Sequence, residues 1–220
     1  MGKSSRVGAV ELSWERVARE AERHSQEVAE PALAVSVGQG LLLVLDRHGE
    51  VARYPAATGL CYPSCIKDSK GTPRGLHRVE EKFGDGLPVG EVLIGRRPTG
   101  RHFSTFANWH RGCHVVSRIL RLRGLEDGIN SGVDREGRCC DSYQRYIYIH
   151  GTAREDLVGQ TFTGGCIALR AADLLPLYDA IPLGTALWIE WGPGISRGNC
   201  HAPLPIPPSA ECRTGRHAEA

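Results

Sequence analysis

The run from Arg145 to Arg170, RYIYIHGTAREDLVGQTFTGGCIALR, constrains this chain more than any other stretch. Tyr146, Ile147, Tyr148 and Ile149 are aromatic or β-branched in alternation, a pattern that favours a packed, pleated strand. Gly151 is expected to break that strand and leave His150 at its end, on a rigid element. Thr163-Gly164-Gly165-Cys166 has almost no side-chain bulk ahead of its thiol, so the backbone there can turn sharply and approach a ligand closely. Successive N–H groups in such a turn can converge on a developing oxyanion. A cysteine is a strong nucleophile as a thiolate and needs a neighbouring base or a positive field to become one. His150 is the candidate base, with a loop long enough to fold Cys166 back onto the strand end. The plainer alternative is a buried free cysteine packing as a small hydrophobe beside a histidine that only ends a strand.

The flanking sequence supplies the setting. Val10 to Glu30 is charged and helix-compatible, with Trp14, Val17, Ala18, Ala21 and Val28 near one face, and Pro31 stops it. This reads as a helix packing on the domain or binding a partner. Leu33, Val35 and Val37 alternate; Leu41 to Leu45 is a continuous apolar run; Val51 to Tyr54 follows a turn at Asp46 to Gly49. These are strands joined as hairpins, and the domain is expected to be mainly β. Leu76 to Val79 and Val115 to Arg123 read as further strands, whereas Gly84 to Gly112 reads as a long Gly-rich loop. Its Arg96, Arg97 and Arg101 are either solvated or one wall of a groove. Leu174, Leu177, Tyr178 and Ile181 share a helical face, with Pro176 expected to shorten or kink that helix. Gly184 to Glu190 is the last strand, and from Gly192 onward a disordered tail is expected, in which Cys200 and Cys212 could close a small loop.

Cys61 and Cys65 favour a disulfide or two free thiols over half a zinc site, because no second pair at metal spacing follows. His110, Cys113 and His114 crowd one segment but need further ligands to hold a metal. Adjacent Cys139 and Cys140 rarely pair with each other. With Cys166 kept free, seven of the eight cysteines remain, an odd number that argues only weakly for an oxidising compartment.

The chain resembles the catalytic domain of L,D-transpeptidases, the YkuD-type peptidoglycan cross-linking enzymes. The family pattern is a strand ending in His-Gly, a loop, then Ser/Thr-His-Gly-Cys; this chain reads IHGT, a loop, then TGGCIAL. Leu41 to Gly59, Gly71 to Val79 and Ala172 to Ile189 resemble family segments in the right order, so the likeness spans about Pro31 to Trp191. Two positions depart: Gly164 stands where the family usually has His, and Ala168 where it often has Arg.

The resemblance implies an L,D-transpeptidase-like β-sandwich or barrel with one or two short helices and an N-terminal helix. It implies a catalytic domain at 31–191, which with the residue readings above leaves a helical extension at 1–30 and a tail at 192–220. It implies Cys166 as nucleophile, His150 as base, the Gly151 carbonyl as the group orienting His150, and Gly165 and Cys166 N–H groups as the oxyanion site. Arg118, Tyr148, Thr163 and Gly164 would touch substrate. The implied partners are peptidoglycan stem peptides and carbapenem-type covalent inhibitors, with no metal or cofactor and a cell-envelope or periplasmic setting. Competing readings are a cysteine hydrolase of the same fold and a catalytically silent wall-binding module. The rest of the sequence narrows the field. A formal charge of +2 is no nucleic-acid signature, and 41% hydrophobic content over 220 residues suffices for one well-packed domain. No run is apolar enough to span a bilayer, and no secretory signal pattern is visible.

Overall fold

The computed structural model describes residues 12–192, so the expected tail and its Cys200 to Cys212 loop lie outside the described residues. Helix α1 (Trp14–Arg23) precedes strands β1 (Ala32–Ser36), β2 (Leu41–Asp46), β3 (Gly49–Pro55) and the short β4 (Thr58–Gly59). β5 (Gly75–Phe83) leads to a hairpin of β6 (Glu91–Ile94) and β7 (Arg97–His102), then to β8 (Val115–Gly124). β9 (Tyr148–Thr152), β10 (Thr161–Thr163) and β11 (Ile167–Leu169) carry the two motifs, and α2 (Ala171–Ala180) and β12 (Ala186–Glu190) follow. The protein is mainly β, with an N-terminal helix and a second helix after the motifs.

The main sheet runs β11-β9-β8-β5-β12-β1-β2-β3, with β6 and β7 attached beside β8. β1 and β12 are parallel, as are β9 and β11, while the other neighbours along this path are antiparallel. A separate parallel pair, β4 with β10, ties the chain ahead of the Cys166 turn to the early strands.

Alternation along β1 sends side chains to two layers. Leu33 and Val35 enter the main core with Leu42, Leu120, Ile149, Ile167 and Leu187, and α2 covers that face with Leu174, Leu177 and Tyr178. Ala32 and Ala34 instead meet Val17 of α1, beside Leu43 and Leu45. Each fully buried Leu or Ile contributes about 1.5–3 kcal/mol of burial free energy, so the two-layer arrangement fixes strand register.

Helix α1 begins where Ser13 accepts the Arg16 N–H at 3.3 Å and ends at His24, because Ser25 adopts a left-handed φ of 55°. It is therefore shorter than the expected Val10 to Glu30, and Val28 joins its apolar patch from beyond the helix end. Helix α2 runs ten residues with Pro176 inside it. Its ends are held from outside: Glu155 accepts the Ala171 N–H at 2.8 Å, and Lys82 Nζ donates to the Tyr178 and Ile181 carbonyls at 2.6 and 2.9 Å.

The stretch from Gly84 to Gly112 differs from the expected loop. It contains the β6–β7 hairpin and two short 3-10 turns, at Phe103–Thr105 and Trp109–Arg111. Val92 packs with Val116 and Leu93 with Ile119, and Gly95 supplies the tight turn with a φ of 55°. A strand of four residues among many glycines leaves too little periodicity to read.

Candidate active site

His150 lies in the middle of β9, because Gly151 does not break the strand. The glycine is needed for close approach instead: a Cβ there would meet the Val116 carbonyl oxygen at 2.5 Å and Leu174 Cδ2 at 3.1 Å. β9 is thus pressed against β8 and α2. In the ladders His150 is opposite Ala168 on β11 and Ile119 on β8. Cys166 immediately precedes β11 and packs with Tyr148, Ile119 and Leu93. Side chains two apart on a strand share a face, so His150, Tyr148 and Cys166 occupy one face while Ile149 and Ile167 point into the core.

The turn ahead of the thiol is built by its glycines and by Thr163. Gly165 has a φ of 120°, and a Cβ on it would come within 2.8 Å of the Gly71 carbonyl oxygen. Thr163 Oγ1 donates to the Cys166 carbonyl at 2.6 Å and accepts the Gly165 N–H at 3.2 Å. Thr163 is buried, so the structure places it as a staple of the turn and not on the surface a substrate would touch. Gly164 is exposed, and a Cβ there would meet nothing within 4 Å, so the position has room for the imidazole it lacks.

Burial disfavours the charged form of both groups. His150 is 1% exposed, and burial brings its imidazole down to about 4. Its Nδ1 donates to the Gly151 carbonyl at 2.8 Å, which leaves Nε2 as the basic nitrogen. Burial pushes the Cys166 thiol up to about 11, against the opposing pull of the Tyr148 backbone N–H and then the Arg145 guanidinium. The thiol donates to the Tyr146 carbonyl at 3.4 Å. Among the described residues no hydrogen bond joins His150 to Cys166: the fold brings them to one face but not into a thiolate–imidazolium pair.

Arg118 is not at this site. It projects to the α2 side of β8, where its guanidinium lies 5.5 Å from the Tyr178 ring and donates to the Leu87 and Ser117 carbonyls, both at 2.9 Å. The bulge at Ser117, with a φ of 67°, shifts the β8 register between Val116 and Ile119 and sets that orientation. Other cations stand there instead. Arg145 donates to the Ser64 and Gly71 carbonyls at 3.1 and 2.8 Å beside the Gly165 turn, and Arg96 donates to Tyr148 Oη at 3.1 Å. Tyr146, which the alternation placed in the strand, sits outside it with a left-handed φ of 57°. Arg96 was among the three arginines read as a candidate groove wall, whereas no sequence signal pointed to Arg145, whose place comes from folding of distant segments.

Cys61, Cys65, Cys113, Cys139, Cys140 and Cys166 are all free thiols. Among the described residues no three His, Cys, Asp or Glu side chains are grouped to hold a metal ion.

Residues 30–189 match the family model of the YkuD L,D-transpeptidase catalytic domain. The chain belongs to this family. Solved structures similar to this YkuD domain include an L,D-transpeptidase from Mycobacterium smegmatis, 15% identical, covering 75% of this chain and 60% of that one, with a TM-score of 0.43. L,D-transpeptidase 3 from Mycobacterium tuberculosis, in complex with a faropenem-derived adduct, is 16% identical over 73% of this chain and 60% of its own, with a TM-score of 0.42. Bdellovibrio bacteriovorus Bd1075 is 17% identical over 74% of this chain and 49% of its own, with a TM-score of 0.47. This YkuD domain thus spans about 60% or less of the length of these three relatives. No curated protein matches the chain. Among the described residues no helix is long and apolar enough to cross a membrane.

Proposed function

We propose that residues 31–191 form a peptidoglycan L,D-transpeptidase domain in which Cys166 is the nucleophile and His150 the base. The observation that supports this reading is the placement of both side chains on one face of the sheet, His150 on β9 and Cys166 immediately ahead of the parallel β11, with the Gly165 turn before the thiol. With the thiol near 11 and the imidazole near 4, no ion pair precedes the reaction. The proton moves from Sγ to His150 Nε2 as sulfur attacks the carbonyl of the third stem-peptide residue. The oxyanion is met by backbone N–H groups of the turn; that of Gly165 exchanges its 3.2 Å bond to Thr163 for the stronger charged acceptor. Collapse of the tetrahedral intermediate breaks the amide bond. The departing D-amino acid takes the proton from His150, and a thioester remains on Cys166. An acceptor amine then attacks the thioester, His150 removes its proton, and sulfur leaves as the thiol.

The second reading is a hydrolase, favoured by Gly164: open space beside the nucleophile gives water access to the thioester. Both readings place the activity at peptidoglycan in the cell envelope and make carbapenem-type β-lactams acylating inhibitors of Cys166. Mass spectrometry of the products from disaccharide tetrapeptide, beside a Cys166→Ala control, separates them. Cross-linked dimer that disappears in the control is expected. Tripeptide alone moves the assignment to hydrolase, and no Cys166-dependent product overturns both and leaves a wall-binding module.

A further inference from the structure

The tip of the β6–β7 hairpin is made by Gly95 and Arg96, with φ of 55° and 68°. Asn or Gly would adopt that turn at less cost than arginine, so the backbone does not explain Arg96. Its side chain does. Nη1 donates to Tyr148 Oη at 3.1 Å, and the guanidinium carbon lies 5.1 Å from the Tyr146 ring and 5.9 Å from the Phe83 ring. Tyr148 packs against Cys166, and the Tyr146 carbonyl accepts the Cys166 thiol. Tyr146 itself holds a left-handed φ of 57° and is 51% exposed. Two residues in costly backbone conformations therefore meet at the rim of the thiol, one offering a cation and the other an open aromatic face.

Among the described residues Arg96 has no carboxylate at ion-pair distance. Glu81, whose charge reaches it, is bound to Arg121 at 2.7 Å. A guanidinium has five N–H donors, and one hydrogen bond to a side chain is recorded for this one. With the guanidinium positioned by Tyr148 Oη and the Tyr146 and Phe83 rings, the remaining donors suit a planar carboxylate.

Resting on the acyl-transfer reading above, we propose that Arg96 binds a free carboxylate of the acyl-donor peptide and so holds the donor carbonyl over Cys166. Arg96 is a specificity-determining residue: it selects anionic peptides. The carboxylate is either the chain terminus of the donor or one of its side chains, and the experiment distinguishes the two.

Steady-state kinetics of the intact chain, of Arg96→Ala and of Arg96→Lys would be compared on three donors. These are the N-acetylated tetrapeptide, its C-terminal amide, and an analogue with its side-chain carboxylates amidated. The expected result is a 10- to 100-fold rise in KM for the free acid in Arg96→Ala, a smaller change in kcat, and partial recovery in Arg96→Lys, as charge-assisted bidentate bonds are lost and partly restored. The amide for which wild type and variant become equal identifies the carboxylate. An equal KM rise on all three donors, the mark of a structural role, overturns the proposal, as does no rise. Calorimetric binding of the tetrapeptide to Cys166→Ala, with and without Arg96→Ala, needs no turnover. Carboxylate-dependent affinity that Arg96→Ala removes, in a chain giving no product, overturns acyl transfer but keeps the anion site; equal affinity removes the site.

Discussion

Cys166 and His150 share one face of the sheet, and burial disfavours charge on both. The thiol is pushed up to about 11 chiefly by burial, and the imidazole down to about 4 by the same cause. Desolvation opposes charge on both groups, and the weak help from the Tyr148 N–H and Arg145 does not reverse it at the sulfur. The consequence is measurable without substrate. Alkylation of Cys166 by iodoacetamide should rise about tenfold per pH unit through the neutral and mildly alkaline range, following the thiolate fraction. A plateau reached below pH 7 would show a preformed ion pair and refute the neutral state. The residue types at these two positions were legible from IHGT and TGGC. Their protonation was not, because it depends on burial by Leu93, Ile119 and Tyr148, which arrive from three separate strands.

At the scale of elements, the site is a product of close approaches that only glycine permits. β9 carries His150 past Gly151 without interruption, and the missing Cβ lets Val116 of β8 and Leu174 of α2 press against the strand. Replacing Gly151 by Ala should therefore cost about 1–3 kcal/mol of stability, as overpacking does in cores. It should also lower kcat by shifting His150 relative to Cys166. Urea unfolding beside single-turnover kinetics checks both, and an unperturbed variant would refute the contact. Apolar alternation, apolar runs and the turns between them were sufficient to find β1, β2, β3, β8 and the last strand, since each is long or buried on a recognisable face. It misread Gly151 as a breaker, because a glycine that ends a strand and one that admits a neighbour look alike along the chain. It passed over the β6–β7 hairpin for a related reason: Glu91 to Ile94 is too short to show a period. Arg118 was misplaced because the bulge at Ser117, which turns it toward α2, has no signature in residue type.

For the whole molecule, two fully buried histidines tie stability to pH. His77 is brought down to about 4 mainly by burial, with Gly75 and Ser142 at its ring nitrogens, and His150 is brought down to about 4 in the same way. Both are lower in the folded chain than the ordinary histidine near 6.5, so unfolding takes up protons below that value. The stabilisation is complete above about pH 6.5 and is lost as pH falls toward 4. At pH 5 each histidine should have withdrawn about 2 kcal/mol relative to pH 7.5. Denaturant titrations at the two pH values test this, and replacing His77 by Asn should remove about half of the difference. An unfolding free energy flat across that range would contradict it. The overall architecture, a mainly β domain with an N-terminal helix and a helix after the motifs, follows from long-range order that the sequence displays: the family segments occur in sequence from about Pro31 to Trp191, and the family match covers residues 30–189. Whether the proposed acyl transfer passes through one thiol is read by intact-protein mass spectrometry of the chain mixed with tetrapeptide donor and no acceptor amine. An adduct of the tripeptide acyl group on Cys166, absent in Cys166→Ala, is expected. An unmodified mass at every donor concentration and quench time, from a chain that remains folded, would contradict it.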